Sequence, residues 1–275
     1  MSMELLYTAI EAALKAGREI LAIYEDPNAD FHVERKADNS PLTIADRRSH
    51  DVIAAALAST PYPVLSEEGR DIPYSERSAW HTLWIVDPLD GTKEFIKRNG
   101  EFTVNIALVT DGVPVAGVIY VPTRRELYFA DQANGAYKMP DIASLEGIRD
   151  LDTLRGRSLR LPYSELHPRY VVVASSSHAN AETTAYIDSL RSTRPDLELV
   201  SIGSSLKLCL VAEGKADVYP RFAPTMEWDT AAGHAIVRAA GGEVWQWETK
   251  EPVRYNKEDL LNPWFIVSRN SRTTR

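Results

Sequence analysis

Residues 83–92, LWIVDPLDGT, form the segment from which the fold and the chemistry of this chain can be inferred. The four apolar residues predict a buried strand, and the Asp, Pro and Gly residues that follow predict that it breaks at a turn. This turn carries the carboxylates of Asp87 and Asp90 and the hydroxyl of Thr92. Catalytic groups are often mounted on such turns, and carboxylates held there can share a hard cation with a substrate phosphate. Asp and Gly are also ordinary turn residues, so other segments have to decide between the two interpretations.

Two further segments place carboxylates where predicted elements end or begin. Glu67 and Glu68 follow a short predicted strand at residues 64–66. Asp229 precedes a predicted helix that begins with small residues, and its ordinary interpretation is that of an N-cap. That interpretation is compatible with a role in binding, because a helix N-terminus favours anions beside it.

The rest of the chain predicts helices and strands in alternation. Apolar residues at helical spacing predict helices over residues 6–24 and 44–57, and the second carries Asp46 in its first turn. Residues 105–130 predict an antiparallel meander. Further on, we expect strands at 170–175, 197–202, 244–247 and 264–267, and helices at 181–190, 204–212 and 229–240. This pattern is typical of an α/β or layered α+β fold.

Length and composition allow one large domain or two intimate subdomains. The chain has 275 residues, of which 44% are hydrophobic, and it lies near the size at which single cores divide. Residues 140–157 lose the periodicity of their neighbours. We therefore expect an N-terminal α+β subdomain of residues 1–150 with most of the candidate ligands, and a C-terminal α/β subdomain of residues 151–275 with Asp229.

The charge balance restricts the class of partner. Thirty-one basic and 39 acidic residues give a net charge of -8, which argues against a nucleic-acid backbone as the main partner. A small anion can still bind through metals and local arginines.

Cys209, the single cysteine, lies in an apolar stretch and predicts a buried thiol in a reducing compartment. Neither a signal peptide nor a transmembrane segment is predicted, so we expect a cytoplasmic protein, with peripheral attachment to the inner membrane left open.

Taken together, the site segments resemble the inositol monophosphatase superfamily of metal-dependent, lithium-sensitive phosphatases. The resemblance rests on the order and separation of Glu67-Glu68, residues 87–92 and residues 228–233 (WDTAAG), and it spans most of the chain. Residues 90–95, DGTKEF, resemble the 3′(2′),5′-bisphosphate nucleotidase branch, whereas inositol monophosphatases more usually carry Thr-Asn-Phe after the Gly-Thr. Further similarity to bacterial members of that branch lies in residues 203–207, 219–229 and 255–263.

This resemblance implies a fold and a metal centre. The implied fold is a five-layered αβαβα sandwich with the site between two subdomains, and the implied cofactor is Mg²⁺, with two or three ions. One ion would be held by Glu67, Asp87 and the backbone carbonyl of Leu89, and a second by Asp87, Asp90 and Asp229. Oxygen-only ligands suit magnesium better than zinc.

The resemblance also assigns catalytic roles to Asp46, Thr92 and Glu68. Thr92 and Asp46 would orient the attacking water and accept its proton, while Glu68 would support the ligands or hold a third ion. Asp46 can alternatively be only a first-turn carboxylate that stabilises its helix. The backbone amides of Gly91 and Thr92 would hold the phosphate that is cleaved.

The implied substrate is adenosine 3′,5′-bisphosphate, which would be converted to AMP and phosphate. Its cleaved phosphate would contact the metal-site residues, and candidates for its second phosphate are Ser176, His178, Lys207 and Arg221. Related enzymes often show Ser-Arg-Ser-His where residues 175–178 read SSSH, so an arginine is missing here. Lys36 lies near the pocket in the family pattern, or else it is a solvated surface lysine. Trp228 is expected in the core rather than against a base.

Two other functions stay open at this point. One is an inositol or sugar monophosphatase of the same fold, and the other is a catalytically silent nucleotide-binding module. The presence of all the implied ligands together with Asp46 and Thr92 disfavours the silent module. The sequence does not distinguish a monomer from a homodimer.

Overall fold

The computed structural model describes residues 3–29, 31, 33–35, 41–163, 169–175 and 180–269. Its helices are α1 (Met3–Tyr24), α2 (Ile44–Leu57), α3 (Tyr74–Arg77), α4 (Thr92–Ile96), α5 (Leu151–Gly156), α6 (Ala181–Thr193), α7 (Leu206–Glu213) and α8 (Glu227–Ala239). Its strands are β1 (Glu34–Arg35), β2 (Pro41–Leu42), β3 (Val64–Ser66), β4 (Thr82–Asp90), β5 (Thr103–Thr110), β6 (Val113–Val121), β7 (Glu126–Asp131), β8 (Gly135–Met139), β9 (Leu159–Arg160), β10 (Val171–Ala174), β11 (Glu198–Ser201), β12 (Val218–Arg221), β13 (Glu243–Gln246) and β14 (Phe265–Ser268). A 3₁₀ turn, Pro122–Arg124, joins β6 to β7.

These elements stack in five layers, as the resemblance implies. The first sheet has seven strands in the order β3-β4-β5-β6-β7-β8-β9, and the second has five in the order β11-β10-β12-β14-β13. Helices α1 and α2 cover the outer face of the first sheet, α7 and α8 lie between the sheets, and α6 covers the second. The αβαβα prediction is therefore confirmed. No helix among the described residues is long and apolar enough to cross a membrane.

The first helix forms where its apolar stripe predicts it. Residues Leu6, Ile10 and Ile20 are buried on the face that packs against the first sheet. Gly17 lies on the same face, where a Cβ atom would collide with the ring of Tyr120 on β6. Helix α1 can therefore approach the sheet closely only because this position carries no side chain.

The meander is confirmed and is longer than the sequence suggests. Strands β4 to β9 pair antiparallel in succession, and β3 adds to β4 in parallel. The first sheet thus extends beyond residue 150 through β9. The division of the chain near residue 150 stays a prediction, in which β9 would be the strand that the C-terminal part adds to the first sheet.

The segment 140–157, which loses periodicity in the sequence, contains the short helix α5. Asp150 caps it by accepting a hydrogen bond from the Thr153 amide at 2.8 Å, and Leu151 and Leu154 are buried in the core under α1. The sequence does not reveal this helix, because a helix of six residues is too short to show helical periodicity. The boundary between subdomains in this segment stays a prediction. The other predicted elements form within a few residues of their expected ends.

A buried polar cluster around Glu213 joins the end of α7 to the first sheet. Its carboxylate accepts hydrogen bonds from Tyr128 Oη at 2.6 Å and Lys138 Nζ at 2.8 Å, and Lys215 Nζ lies 2.8 Å from its second oxygen. Burial raises the pKa of Glu213, but the bonds from Lys138, Lys215 and Tyr128 outweigh it, so the pKa is lowered overall. The ionised form is thus stabilised in the folded chain.

Glu213→Gln is expected to lower the free energy of unfolding by about 3 kcal/mol near neutral pH, because it leaves buried Lys138 without its full counter-charge. Since the pKa of Glu213 is lower in the folded state, its contribution is present above the unfolded pKa of about 4.3 and is lost as the pH falls through the folded value. Urea denaturation across this acid range measures both effects.

The matched control is Glu11→Gln, which removes an exposed ion pair with Lys15 one turn away on α1. Such a pair contributes about 0.3–0.5 kcal/mol. If both variants lose the same small amount, the Glu213 cluster does not hold α7 to the sheet.

Candidate active site

A β-bulge in β4 brings Asp87 and Asp90 to the same face of the first sheet. Asp87 pairs with Asn105 and Asp90 with Thr103, so β4 has one residue more than β5 between these pairs. Residues three apart on a regular strand face opposite sides, and the extra residue cancels this alternation. Pro88 lies in the bulge, where no ladder hydrogen bond is needed from its nitrogen. Both carboxylates therefore face the helices of the middle layer.

Asp229 reaches the same place from the first turn of α8. The expectation that it is the N-cap is wrong, because the helix begins at Glu227 with Met226 as its cap. Asp229 is the third helical residue, and its Oδ2 accepts a hydrogen bond from the Met226 amide at 2.9 Å. A carboxylate at that position can bond back to the cap, which is why the helix starts earlier than its small residues suggest.

Asp87, Asp90 and Asp229 form a compact acidic cluster. One carboxylate oxygen from each lies within 4.8 Å of the others. Burial raises the pKa of Asp87 well above its usual value, and Glu67, Asp90 and Asp229 raise it further. Burial, followed by Asp90 and Glu67, raises the pKa of Asp229 to about 8. Burying several carboxylates together is unfavourable unless cations compensate them, and an all-oxygen donor set suits a hard divalent cation. The cluster therefore fits the implied metal centre.

The other implied ligands lie beside this cluster. Glu67 directly follows β3, and its amide donates to the Val86 carbonyl at 3.1 Å. Its negative charge raises the pKa of both Asp87 and Asp229, so its carboxylate lies near theirs. The Leu89 amide donates to Asp87 Oδ1 at 3.1 Å, and Thr92 Oγ1 lies 3.4 Å from the Leu89 carbonyl.

Asp46 and Thr92 are brought together by α2 and α4. Asp46 Oδ2 accepts bonds from the Thr43 amide at 2.7 Å and the Thr43 hydroxyl at 2.5 Å, while its Oδ1 accepts one from Thr92 Oγ1 at 3.0 Å. Burial raises the pKa of Asp46, opposed by the hydrogen bonds from Thr43 and Thr92 and assisted by the charge of Glu68. Glu68 is thus close enough to influence this pair.

Gly91 allows two distant segments to meet at the site. It caps α4 with a φ of 97°, in the left-handed region that favours glycine. A Cβ atom there would lie 3.0 Å from the Glu101 carbonyl and 3.3 Å from Ser204 Cβ. The glycine of the signature is therefore required by backbone conformation and by close packing.

Ser205 connects Asp90 to α8 and was not assigned to the site from the sequence. Its amide donates to Asp90 Oδ2 at 2.6 Å, and its hydroxyl lies 2.8 Å from the same oxygen and 2.9 Å from the Asp229 carbonyl. Asn105 Nδ2 donates to Ser205 Oγ at 2.9 Å. The only sequence signal is that residues 203–207 share the family similarity.

A cavity of about 690 Å³ opens above the cluster. Glu67, Asp90, Thr92 and Asp229 form part of its wall, and Lys93, Lys207, Arg221 and Trp228 form another part. Trp228 is half-buried and lines this space, so its assignment to the core was only partly correct. The cavity joins the carboxylate cluster to a cationic wall.

Lys207 and Arg221 both line the cavity but differ in their surroundings. Lys207 Nζ donates to the Ser204 carbonyl at 2.5 Å, and burial lowers the pKa of this lysine to about 8. Arg221 Nη2 donates to the Pro224 carbonyl at 2.9 Å, whereas its Nε is buried without a hydrogen-bond partner among the described residues. Ser176, His178 and Lys36 lie outside the described residues.

The chain belongs to the inositol monophosphatase family, whose model matches residues 1–274. Among curated relatives, the 3′(2′),5′-bisphosphate nucleotidase CysQ of Escherichia coli K12 is 47% identical over 262 residues, covering 94% of this chain and 97% of the relative. The enzyme of the same name from Salmonella typhimurium is 46% identical over 96% of this chain and 99% of its own length.

Solved structures agree with this assignment. CysQ from Bacteroides thetaiotaomicron superposes with a TM-score of 0.92 at 61% identity, over 98% of both chains. The suhB protein of Bartonella henselae superposes with a TM-score of 0.73 at 27% identity, over 98% of this chain and 95% of its own. The family and fold predictions are confirmed.

Asp229→Asn is expected to stabilise the metal-free chain at alkaline pH. Because burial and its acidic neighbours raise the pKa of Asp229 to about 8, the folded state keeps a proton that the unfolded chain releases near pH 4. Stability is therefore lost as the pH rises toward 8. Without this titration, the variant should be about 2 kcal/mol more stable than wild type near pH 8 in chelator, as measured by urea denaturation.

An excess of Mg²⁺ should reverse this order, because metal binding stabilises only a chain with its full ligand set. If the variant is less stable than wild type in chelator near pH 8, the mutual repulsion of the cluster is not the dominant effect.

Proposed function

We propose that this chain is a Mg²⁺-dependent phosphatase that removes the 3′-phosphate of adenosine 3′,5′-bisphosphate to give AMP and phosphate. The observation that carries the proposal is the acidic cluster of buried Asp87 with the partly buried Asp90 and Asp229 beneath a cavity with a cationic wall. The printed names of relatives that align over nearly their whole length support the same activity.

The metal ligands would be those that the family pattern implies. Glu67, Asp87 and the Leu89 carbonyl would hold one ion, and Asp87, Asp90 and Asp229 a second, with Asp87 shared. When bound, magnesium supplies positive charge that stabilises the transferring phosphoryl group. The number of ions stays a prediction.

Thr92 and Asp46 would position the attacking water and accept its proton. Because the Thr92 hydroxyl donates to Asp46 Oδ1, its oxygen is left to accept a hydrogen bond from a water in the cavity. As the water oxygen attacks phosphorus, its proton passes to Thr92 Oγ1, and the Thr92 proton passes to Asp46. The raised pKa of Asp46 favours this acceptance, since a better base takes the proton more readily.

The second phosphate would bind at the cationic wall. Arg221 is the best candidate, because its buried Nε has no partner among the described residues and a guanidinium binds phosphate through several donors. Lys207 would add positive charge nearby, although backbone carbonyls already bind its ammonium group. Ser176, His178 and the cytoplasmic location stay predictions, and a monomer and a homodimer both stay open.

The decisive experiment measures phosphate release by the purified chain from adenosine 3′,5′-bisphosphate and from inositol 1-phosphate, each with Mg²⁺ and with chelator. We expect magnesium-dependent turnover with preference for the bisphosphate. Preference for inositol 1-phosphate would place the chain with the inositol monophosphatases, and no release from either would support a binding role.

Thr92→Ala is expected to lower kcat roughly 30-fold, which corresponds to an activation free energy higher by about 2 kcal/mol. The reason is that the attacking water loses its hydrogen-bond acceptor. Mg²⁺ affinity should stay near the wild-type value, since the threonine side chain is not a proposed ligand. Steady-state kinetics at saturating Mg²⁺ measure the change. Thr92→Ser keeps the hydroxyl and serves as the control, and an unchanged kcat in Thr92→Ala would leave Thr92 with only a structural role at the start of α4.

Arg221→Ala is expected to raise KM for the bisphosphate roughly tenfold without a matching loss toward monophosphates, because only the bisphosphate carries a second phosphate. Arg191→Ala, which breaks an exposed ion pair on α6, should change neither KM. Equal losses on both substrates would place Arg221 at the reacting phosphate instead.

A further inference from the structure

We infer that a hydrogen-bonded group formed by the buried side chains of Arg77 and Glu227 and by the partly buried Asn256 positions the segments of the metal centre. We call this group the brace. It joins α3, which ends the segment that begins at Glu67, to the start of α8, which carries Asp229. The inference rests on the proposed function, because it takes these two residues as metal ligands.

Glu227 forms the α8 end of the brace. It is the first residue of the helix and is 0% exposed. Its Oε2 accepts the Asn256 amide at 2.6 Å, and its Oε1 accepts the Lys257 amide at 3.0 Å and Lys257 Nζ at 2.5 Å. Because Asp229 is two residues further along the same helical turn, any shift of Glu227 also moves that carboxylate.

Arg77 forms the α3 end and is only 3% exposed. Its Nη2 donates to the Glu258 carbonyl at 2.7 Å, and its Nη1 donates to the Lys257 carbonyl and, at 3.2 Å, to Asn256 Oδ1. Its Nε donates to the Ile72 carbonyl at 3.3 Å, inside the segment that leads from Glu67 to α3. One guanidinium thus connects the segment before α3 to residues 256–258, whose backbone amides in turn bond to Glu227 at the start of α8.

Asn256 closes the brace between the two ends. Its Nδ2 donates to the Arg77 carbonyl at 2.8 Å and lies 3.4 Å from the Trp80 carbonyl, while its backbone amide reaches Glu227. Its φ of 59° lies in the left-handed region, which asparagine tolerates better than most residues. Asn256 therefore contributes to the brace through the hydrogen bonds of its side chain and through a backbone conformation that directs its amide at Glu227.

Stability alone is a weak reason for such an arrangement. Replacing buried ionic groups with apolar residues of similar size is often neutral or stabilising. A fully bonded polar group, in contrast, favours one relative position of the segments that it joins. The segments joined here supply Glu67 and Asp229, which the proposed function assigns to two different ions with Asp87 in common. A shift of either segment would therefore disturb the ligand set of its own ion.

Two substitutions test the brace with little change in shape. Glu227→Gln replaces one of the two accepting oxygens with an NH2 group, which can only donate and therefore faces either the Asn256 or the Lys257 amide as donor against donor. Asn256→Gly removes the side-chain bonds but accepts the positive φ. The matched control is Asp131→Asn. Asp131 lies at the end of β7, and the substitution weakens its buried ion pair with Arg155 on α5. All three should be somewhat less stable than wild type.

The measurement is calorimetric titration of the metal-free full chain with Mg²⁺ alone, well below the unfolding temperature. We expect Glu227→Gln and Asn256→Gly to weaken Mg²⁺ binding roughly tenfold, with wild-type affinity in Asp131→Asn. At saturating Mg²⁺, kcat of the two brace variants should return to within about twofold of wild type, because the water-positioning pair is untouched.

Brace variants that are destabilised but keep wild-type Mg²⁺ affinity would overturn the inference, and so would an equal loss of affinity in Asp131→Asn. If Glu227→Gln fails to fold, Asn256→Gly alone decides, since it removes no charge. If the wild-type chain binds no Mg²⁺, the proposed metal centre is wrong, and the inference about the brace is wrong with it. If the wild-type chain binds Mg²⁺ and the brace variants bind it equally well, only the inference is wrong.

Discussion

The constraint on which the rest of this structure depends is the repulsion among the clustered carboxylates of Asp87, Asp90 and Asp229, of which Asp87 is buried and the other two are partly buried. Two of them come from a bulged strand of the first sheet and one from a helix of the middle layer. Burial and the neighbouring negative charges raise the pKa of Asp87 and of Asp229, so the folded chain has to hold the cluster together at a cost in stability. Functional sites are where residues that lower stability are expected, because the chemistry requires an arrangement that folding alone would not favour.

The chain holds these groups by a repeated device, in which one oxygen of each carboxylate accepts a backbone amide. The pairs are Asp87 with Leu89, Asp90 with Ser205, Asp229 with Met226, and Asp46 with Thr43. An amide bonded to a carboxylate favours its ionised form and fixes its rotation. The other oxygen is then left for another partner, which for Asp46 is the Thr92 hydroxyl. The backbone therefore orients the site.

Elements with a strong local pattern could be predicted from the sequence, whereas contacts between distant segments could not. The helices over 44–57 and 181–190 and the meander follow from periodicity, and the acidic residues follow from the signature segments. The contact of Ser205 with Asp90 could not be predicted, because the two residues are 115 positions apart and a serine by itself does not indicate a metal or catalytic site. The brace could not be predicted for the same reason. Glu227 and Asn256 lie in segments that share the family similarity, but nothing in the sequence indicates that they meet each other or Arg77. The start of α8 was misplaced because Asp229 at the third helical position resembles an N-cap.

The small residues that follow Asp229 have a packing reason and not a chemical one. A Cβ atom at Gly233 would lie 2.8 Å from Leu208 Cβ on α7, and one at Gly117 on β6 would overlap the Ala232 carbonyl. Helix α8 is thus pressed against its neighbouring helix on one side and against the first sheet on the other, where bulkier residues would push it away. Since Asp229 must come within 4.8 Å of two carboxylates on that sheet, this close packing is what makes the cluster possible. The segment 228–233 therefore combines one carboxylate of the cluster with the small side chains that bring it into place.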